Sequence, residues 1–135
     1  MQMELQITFQ EKENDIALSE TLEVTSLDSG LFRLEHSPLF NENIHYGDIV
    51  ELEHNDDDDS WLFIRIVEPS NWHHFNRILT KSLVHSELFE LWLESITERG
   101  GFWEVAFGGV VFISYPRNSP INAEVELQEI ITNAN

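Results

Sequence analysis

The chain contains no cysteine, which excludes disulfides and thiolate nucleophiles, and removes the ligand that structural zinc prefers. Bases are scarce too: 7 Lys plus Arg stand against 25 Asp plus Glu, a formal net charge of −18. Binding phosphate requires Lys and Arg to displace counterions, so nucleic acid and anionic membrane are poor partners. No apolar run approaches the roughly 18 residues that suggest a membrane span. The opening MQMELQITFQ lacks a charged region followed by an apolar stretch, the mark of a signal peptide. A cytoplasmic, bacterial-type protein is the expectation.

What is present is a normal core-forming composition. Of 135 residues, 41% are hydrophobic, with four Trp and nine Phe, too apolar for intrinsic disorder. The length fits one domain, 1–135, able to bury roughly two thirds of its unfolded surface. The negative charge is uneven: residues 1–60 hold 16 acids and 2 bases, residues 61–135 hold 9 acids and 5 bases. A basic protein surface is the natural complement of the first half, although acidity also serves solubility.

The first half reads as antiparallel β-structure. Met3, Leu5, Ile7 and Phe9 alternate with Glu4, Gln6, Thr8 and Gln10, the period-2 pattern of a half-buried strand. Weaker strands follow at 21–27 and 31–36, then one opening after Gly47-Asp48 and running through Glu53. After a turn at 55–60, WLFIRIV (61–67) returns; apolar on both faces, it is expected centrally in the sheet. Four or five short strands with tight turns predict a curled antiparallel sheet or small barrel over 1–68.

The second half, 71–133, changes period. A strand at 73–79 precedes a helix over 83–98 whose inward face is Val84, Leu88, Leu91, Trp92 and Ile96, stopped by Gly100-Gly101. Two strands flank Gly108-Gly109, a hairpin signal. A closing helix is predicted with Ser119 as N-cap and Pro120 in first position, burying Ala123, Leu127, Ile130 and Ile131. The fold class is α+β, the second part a ferredoxin-like strand–helix–strand–strand–helix unit, with EPSN (68–71) as the joint.

GLFRLEHSPLF (30–40), YGDIVELE (46–53), FIRIVEPS (63–70) and GFWE (101–104) together resemble a bacterial domain family of unknown function. Its members carry a Leu-Phe-Arg-Leu-Glu segment, a Gly-Asp before a strand and a later Gly-x-x-Trp-Glu-type stretch; Gly101, Phe102, Trp103 and Glu104 shorten that last spacing. The likeness spans about 30–116 and implies a shared fold, with no activity to transfer.

Asp56, Asp57, Asp58 and Asp59 are the strongest site candidate. Neighbouring carboxylates repel by roughly 0.5–1 kcal/mol per pair in water, and a turn needs only one or two such residues. The run is either a solvated tip that discourages edge pairing or a docking element for Lys and Arg. A calcium loop is disfavoured, since its Asp-x-Asp-x-Asp-Gly spacing is missing. Asp48, Glu51 and Glu53 extend the acid down one strand. Glu87, Glu90, Glu94 and Glu98 form a second stripe on the predicted helix with no Lys in register. Phe89 and Leu93 are expected either in the core or as an apolar anchor beside those acids. Trp61 and Trp72 are either core or interface aromatics.

Catalytic and metal patterns are weak. His73 and His74 are adjacent and diverge on a strand; His36, His45, His54 and His85 show no ligand spacing. No serine lies in a nucleophile elbow, and a Glu68–His73 acid–base pair is not distinctive. No cofactor, metal or catalytic residue is assigned. Three classes remain. The first is an acidic binding protein that neutralises a basic partner, most sharply an immunity protein against a cationic nuclease-type toxin. The others are an accessory interaction domain and an unrecognised small enzyme.

Overall fold

The structure, a computed structural model, describes residues 1–10, 17–39 and 41–133. Phe40, at the end of the first family-like segment, and Ala134, at the end of the expected closing helix, lie outside the described residues. The chain divides into two compact units, Met1–Ser70 and Asn71–Asn135, and the boundary falls inside the joint expected at 68–71.

The first unit is a closed barrel of β1 (Gln2–Gln10), β2 (Ala17–Asp28), β3 (Leu31–Leu34), β4 (Ile49–Asn55) and β5 (Ser60–Glu68). Each strand pairs antiparallel with the next. Five alternating strands leave the first and last running the same way, so closure must be parallel; Ile7 pairs with Trp61 and Thr8 with Leu62. Register shifts between Ser26 and Asp28, and in β4 around Ile49/Val50 and Glu51/Leu52, supply the bends that a closing sheet needs. The alternation seen in β1 points inward: Ile7 and Phe9 join Leu22, Val24, Phe32, Leu34, Val50 and Leu52 in the core. Each such side chain contributes about 1.5–3 kcal/mol on burial.

β5 departs from the sequence expectation. Its two apolar faces predict burial on both sides, yet Ile64 and Val67 are exposed. The strand does have a neighbour on each side, β4 and β1, but so does every strand of a closed barrel.

The second unit contains β6 (His73–Ile78), α1 (Lys81–Val84), α2 (Glu87–Glu98), β7 (Phe102–Ala106), β8 (Val110–Tyr115) and α3 (Ala123–Asn133). β8 lies between β6 and β7, antiparallel to both. One sheet face, with Val111, Ile113 and Tyr115, shares a core with Phe89, Trp92, Leu93 and Ile96 of α2 and Ala123 and Leu127 of α3.

Three helix expectations are corrected. The helix expected over 83–98 is two helices, because Thr80 and Ser86 each cap one: their side chains accept from Leu83 N–H and Phe89 N–H, both at 3.2 Å. Leu88 and Leu91, expected inward, are 49% and 53% exposed, while Phe89 and Leu93 are buried. An apolar arc wider than one contact face leaves the choice of inward side to packing. Finally, α3 starts at Ala123 and not at Pro120; Asn122, not Ser119, caps it, with Oδ1 accepting from Val125 N–H at 3.3 Å.

No helix among the described residues is long and apolar enough to cross a membrane.

Candidate functional site: an acidic hairpin on the barrel

β4 and β5 pair through to Asn55 and Ser60, leaving Asp56–Asp59 as the four-residue turn, every one exposed. Asp59 adopts a left-handed φ of 57°, which Asp tolerates better than most residues. Local hydrogen bonds define the tip. Asp57 N–H donates to Asn55 Oδ1 (3.1 Å), and Asp58 Oδ1 accepts from Ser60 N–H (3.1 Å) and Ser60 Oγ–H (2.6 Å). The Ser60 hydroxyl bond, seconded by its backbone N–H, holds the Asp58 carboxyl below its usual range.

His54 closes the turn. Its Nδ1 lies 2.7 Å from Asp56 Oδ1 and its Nε2 lies 2.7 Å from Asp59 Oδ1. A carboxylate accepts only, so both contacts are hydrogen bonds only when the ring carries two protons. The bond to Asp59, then that to Asp56, accordingly raises the His54 pKa above 6.5. The ring also packs against Trp61 (centroids 4.8 Å apart), and Trp61 meets Phe32 edge-on at 5.2 Å. The charged tip therefore connects through one aromatic to the barrel core, where Phe32 is buried.

The remaining acids divide. Glu53 is exposed on β4. Glu51 is neutralised by Arg65, whose Nε is 2.8 Å from Glu51 Oε1. Asp48 is corrected outright: it is 2% exposed and cannot belong to a surface stripe. Its Oδ2 accepts from His45 N–H (2.9 Å) and its Oδ1 from Ser70 N–H (2.6 Å), fastening the start of β4 to the end of the unit. The preceding Gly47 has a φ of +86° and lies close against Ser70, where a Cβ would sit 3.2 Å from Oγ. Gly-Asp before a strand is thus a structural pair.

In the second unit, Glu87, Glu90, Glu94 and Glu98 of α2 are all exposed, and among the described residues no base pairs with them. At 100° per residue, exposed Leu91 lies about 20° beyond the edge of their arc and exposed Leu88 about 60° further round. Of the two alternatives for Phe89 and Leu93, the core is the one they take, and the exposed apolar residues nearest these acids are Leu91 and Leu88. Trp72 is part-buried in this unit, as Trp61 is in the barrel.

Sequence reasoning missed two features. His54 lies two residues from Asp56 and five from Asp59, a proximity that strand-and-turn geometry turns into a clip. The other is Glu126, which pairs with both guanidinium nitrogens of Arg99 (2.6 and 3.0 Å) and accepts from Trp92 Nε1 (2.9 Å) and Asn122 N–H (2.9 Å). The Arg99 bonds, opposed by partial burial, bring its pKa down to about 2. This network ties the end of α2 to the start of α3 and is structural.

No curated protein matches the chain. A crystal structure described as that of a hypothetical protein from Neisseria gonorrhoeae is similar over 100% of this chain and 89% of that one, with a TM-score of 0.63 at 20% identity; the likeness shows a shared fold. A family model described as "Domain of unknown function (DUF4265)" matches residues 20–126, most of the chain and all of the segments on which the resemblance was read. The chain belongs to that family.

Proposed function

We propose that this chain is an acidic binding protein that neutralises a basic protein partner, most sharply an immunity protein that blocks a cationic, nuclease-type bacterial toxin in the cytoplasm. The observation carrying the reading is the Asp56–Asp59 tip: four exposed carboxylates on a closed barrel, three of them (Asp56, Asp58 and Asp59) held by His54 and Ser60. A solvated tip that only discouraged aggregation would need no clip, and a closed barrel has no edge there to protect. A charge array ordered before binding loses less entropy on docking.

Such a tip resembles a short run of phosphates in charge. It would occupy the cationic groove of a nuclease and exclude substrate. Long-range attraction would raise the association rate by about 10–10³ at low salt. Glu53 beside the tip and the Glu87, Glu90 and Glu94 face of α2 are the further partner-facing acids. The second unit is read more finely as a ferredoxin-like split unit without its fourth strand.

Co-purification followed by mass spectrometry identifies the partner. The test is then the association rate against ionic strength for the wild type and the Asp56–Asp59→Asn quadruple variant. Slower association and a flatter salt dependence in the variant are expected. An unchanged rate would remove the tip from the interface, and a non-basic partner would end the reading.

A further inference from the structure

The three-stranded sheet ends in β6, and the outward side of that strand pairs with no strand among the described residues. Leu79 N–H donates to Gly109 O at 2.7 Å, which sets the phase: odd positions of β6 bond to β8, and the backbone groups of Asn76 and Ile78 point away from the sheet. Both residues are exposed, Ile78 to 80%. Proteins usually blunt such an edge with Pro, a bulge or inward-pointing charge. β6 has no Pro, pairs with β8 in unbroken register over six residues, and has its Arg77 turned to Gln128 Oε1 at 3.1 Å.

A cavity of about 290 Å³ opens at the same end of the strand, lined by Arg77, Ile78, Leu79, Leu83, Ser86 and Ile131 among others. Its aliphatic wall would receive one side chain of an added strand, because alternate residues of such a strand face the helices. The local charge is opposite to that of the whole molecule. Residues 69–86 contain no Asp or Glu and carry Arg77 and Lys81. A neighbouring cavity of about 510 Å³ shares Arg77 and is lined also by Glu124 and Glu129, whereas among the described residues no acid lines the 290 Å³ cavity.

We propose that β6 is a docking edge for an extended segment of another protein, which adds as a fourth strand, seats an aliphatic side chain in the 290 Å³ cavity and sets a carboxylate beside Arg77 and Lys81. Backbone bonds to Asn76 and Ile78 supply affinity, and the cavity with the two cations supplies selectivity. A second copy of the chain is the poorer occupant: edge-to-edge pairing would bring two cationic stretches together on molecules of net charge −18. This surface is separate from the acidic hairpin, and neither reading depends on the other.

The test uses the full ¹⁵N-labelled chain and two blocked octapeptide probes, one alternating valine with glutamate and the other valine with lysine. Millimolar valine–glutamate peptide is expected to shift the Asn76 and Ile78 amides and slow their hydrogen exchange by about tenfold, and valine–lysine peptide to do neither. Asn76→Pro removes an outward N–H, a substitution that an edge strand accommodates, and should abolish the response while circular dichroism stays native. The R77E/K81E double variant, which leaves the backbone untouched, should reverse the preference to valine–lysine. The proposal is overturned if neither peptide slows those amides, if both peptides act equally, or if R77E/K81E keeps the wild-type preference. It is also overturned if exchange at Asn76 and Ile78 slows with protein concentration alone, which would assign the edge to a second copy.

Discussion

The Nε2 of His54 lies 2.7 Å from Oδ1 of Asp59, across a turn whose other end, Asp56, holds the opposite nitrogen of the same ring at 2.7 Å. One imidazolium thus spans the mouth of a hairpin of four acids. The cost of crowding like charges there is offset by a cation drawn from the strand itself.

The clip makes tip order pH-dependent. Because the folded-state pKa of His54 is raised above 6.5, the stabilisation is fully present below 6.5 and is lost as pH rises through the folded value. NMR titration of the His54 ring is expected to give a midpoint above 6.5, and D56N/D59N to return it toward 6.5. A midpoint unmoved by that double variant would show that the two aspartates do not hold the ring.

The Glu126–Arg99 network responds in the opposite sense. Its carboxyl falls from 4.5 to about 2 in the folded state, so its contribution is complete above 4.5 and disappears as pH falls from there toward 2. E126Q should destabilise the second unit by roughly 1–2 kcal/mol at neutral pH, a figure discounted for partial exposure. The wild-type and variant stabilities should converge near pH 2, read by denaturant unfolding. A gap that persists undiminished at that pH would show that the charge of Glu126 is not what stabilises.

Phe107 is misplaced by local rules. It sits at φ 52° in a two-residue turn with Gly108 at φ 71°, closed by Gly109 N–H to Ala106 O at 3.1 Å, and is 80% exposed. Such turns prefer Asn-Gly, and a left-handed bulky residue costs about 1–2 kcal/mol. F107N is expected to raise the thermal midpoint by a few degrees, consistent with roughly 1 kcal/mol in a unit this small. A lower midpoint would mean that the ring stabilises the fold in a way its exposure does not show.

On α2, Leu91→Lys should leave stability within about 0.5 kcal/mol of wild type, since the residue is half exposed. Phe89→Ala, 1% exposed, should cost about 3–5 kcal/mol. Denaturant midpoints for the pair check which face of the helix is inward; the reverse ranking would refute the assigned packing.

Local pattern carried much of this. Alternation in 3–9 placed Ile7 and Phe9 inside, Gly108-Gly109 marked the β7–β8 hairpin, and Ala123, Leu127, Ile130 and Ile131 were read as the inner face of α3, where they lie. Asp48 was misread because strand alternation cannot reveal that Ser70, 22 residues on, donates to its carboxylate. α2 was misread because an apolar arc of about 200° offers two inward faces, and Trp92, bonded to Glu126 of α3, belongs to a contact outside the helix.

The amino-acid sequence by itself determined the kind of most elements, the joint near residue 70, and a strong excess of acid over base. These depend on side-chain period and composition, which are local or additive. Only the tertiary structure decided that the five strands close with β1 parallel to β5, that Asp48 is buried, that His54 bridges the turn, and that among the described residues no strand pairs with the outer side of β6. Each of these is a pairing across space, set by which surfaces the folded chain brings within hydrogen-bond reach.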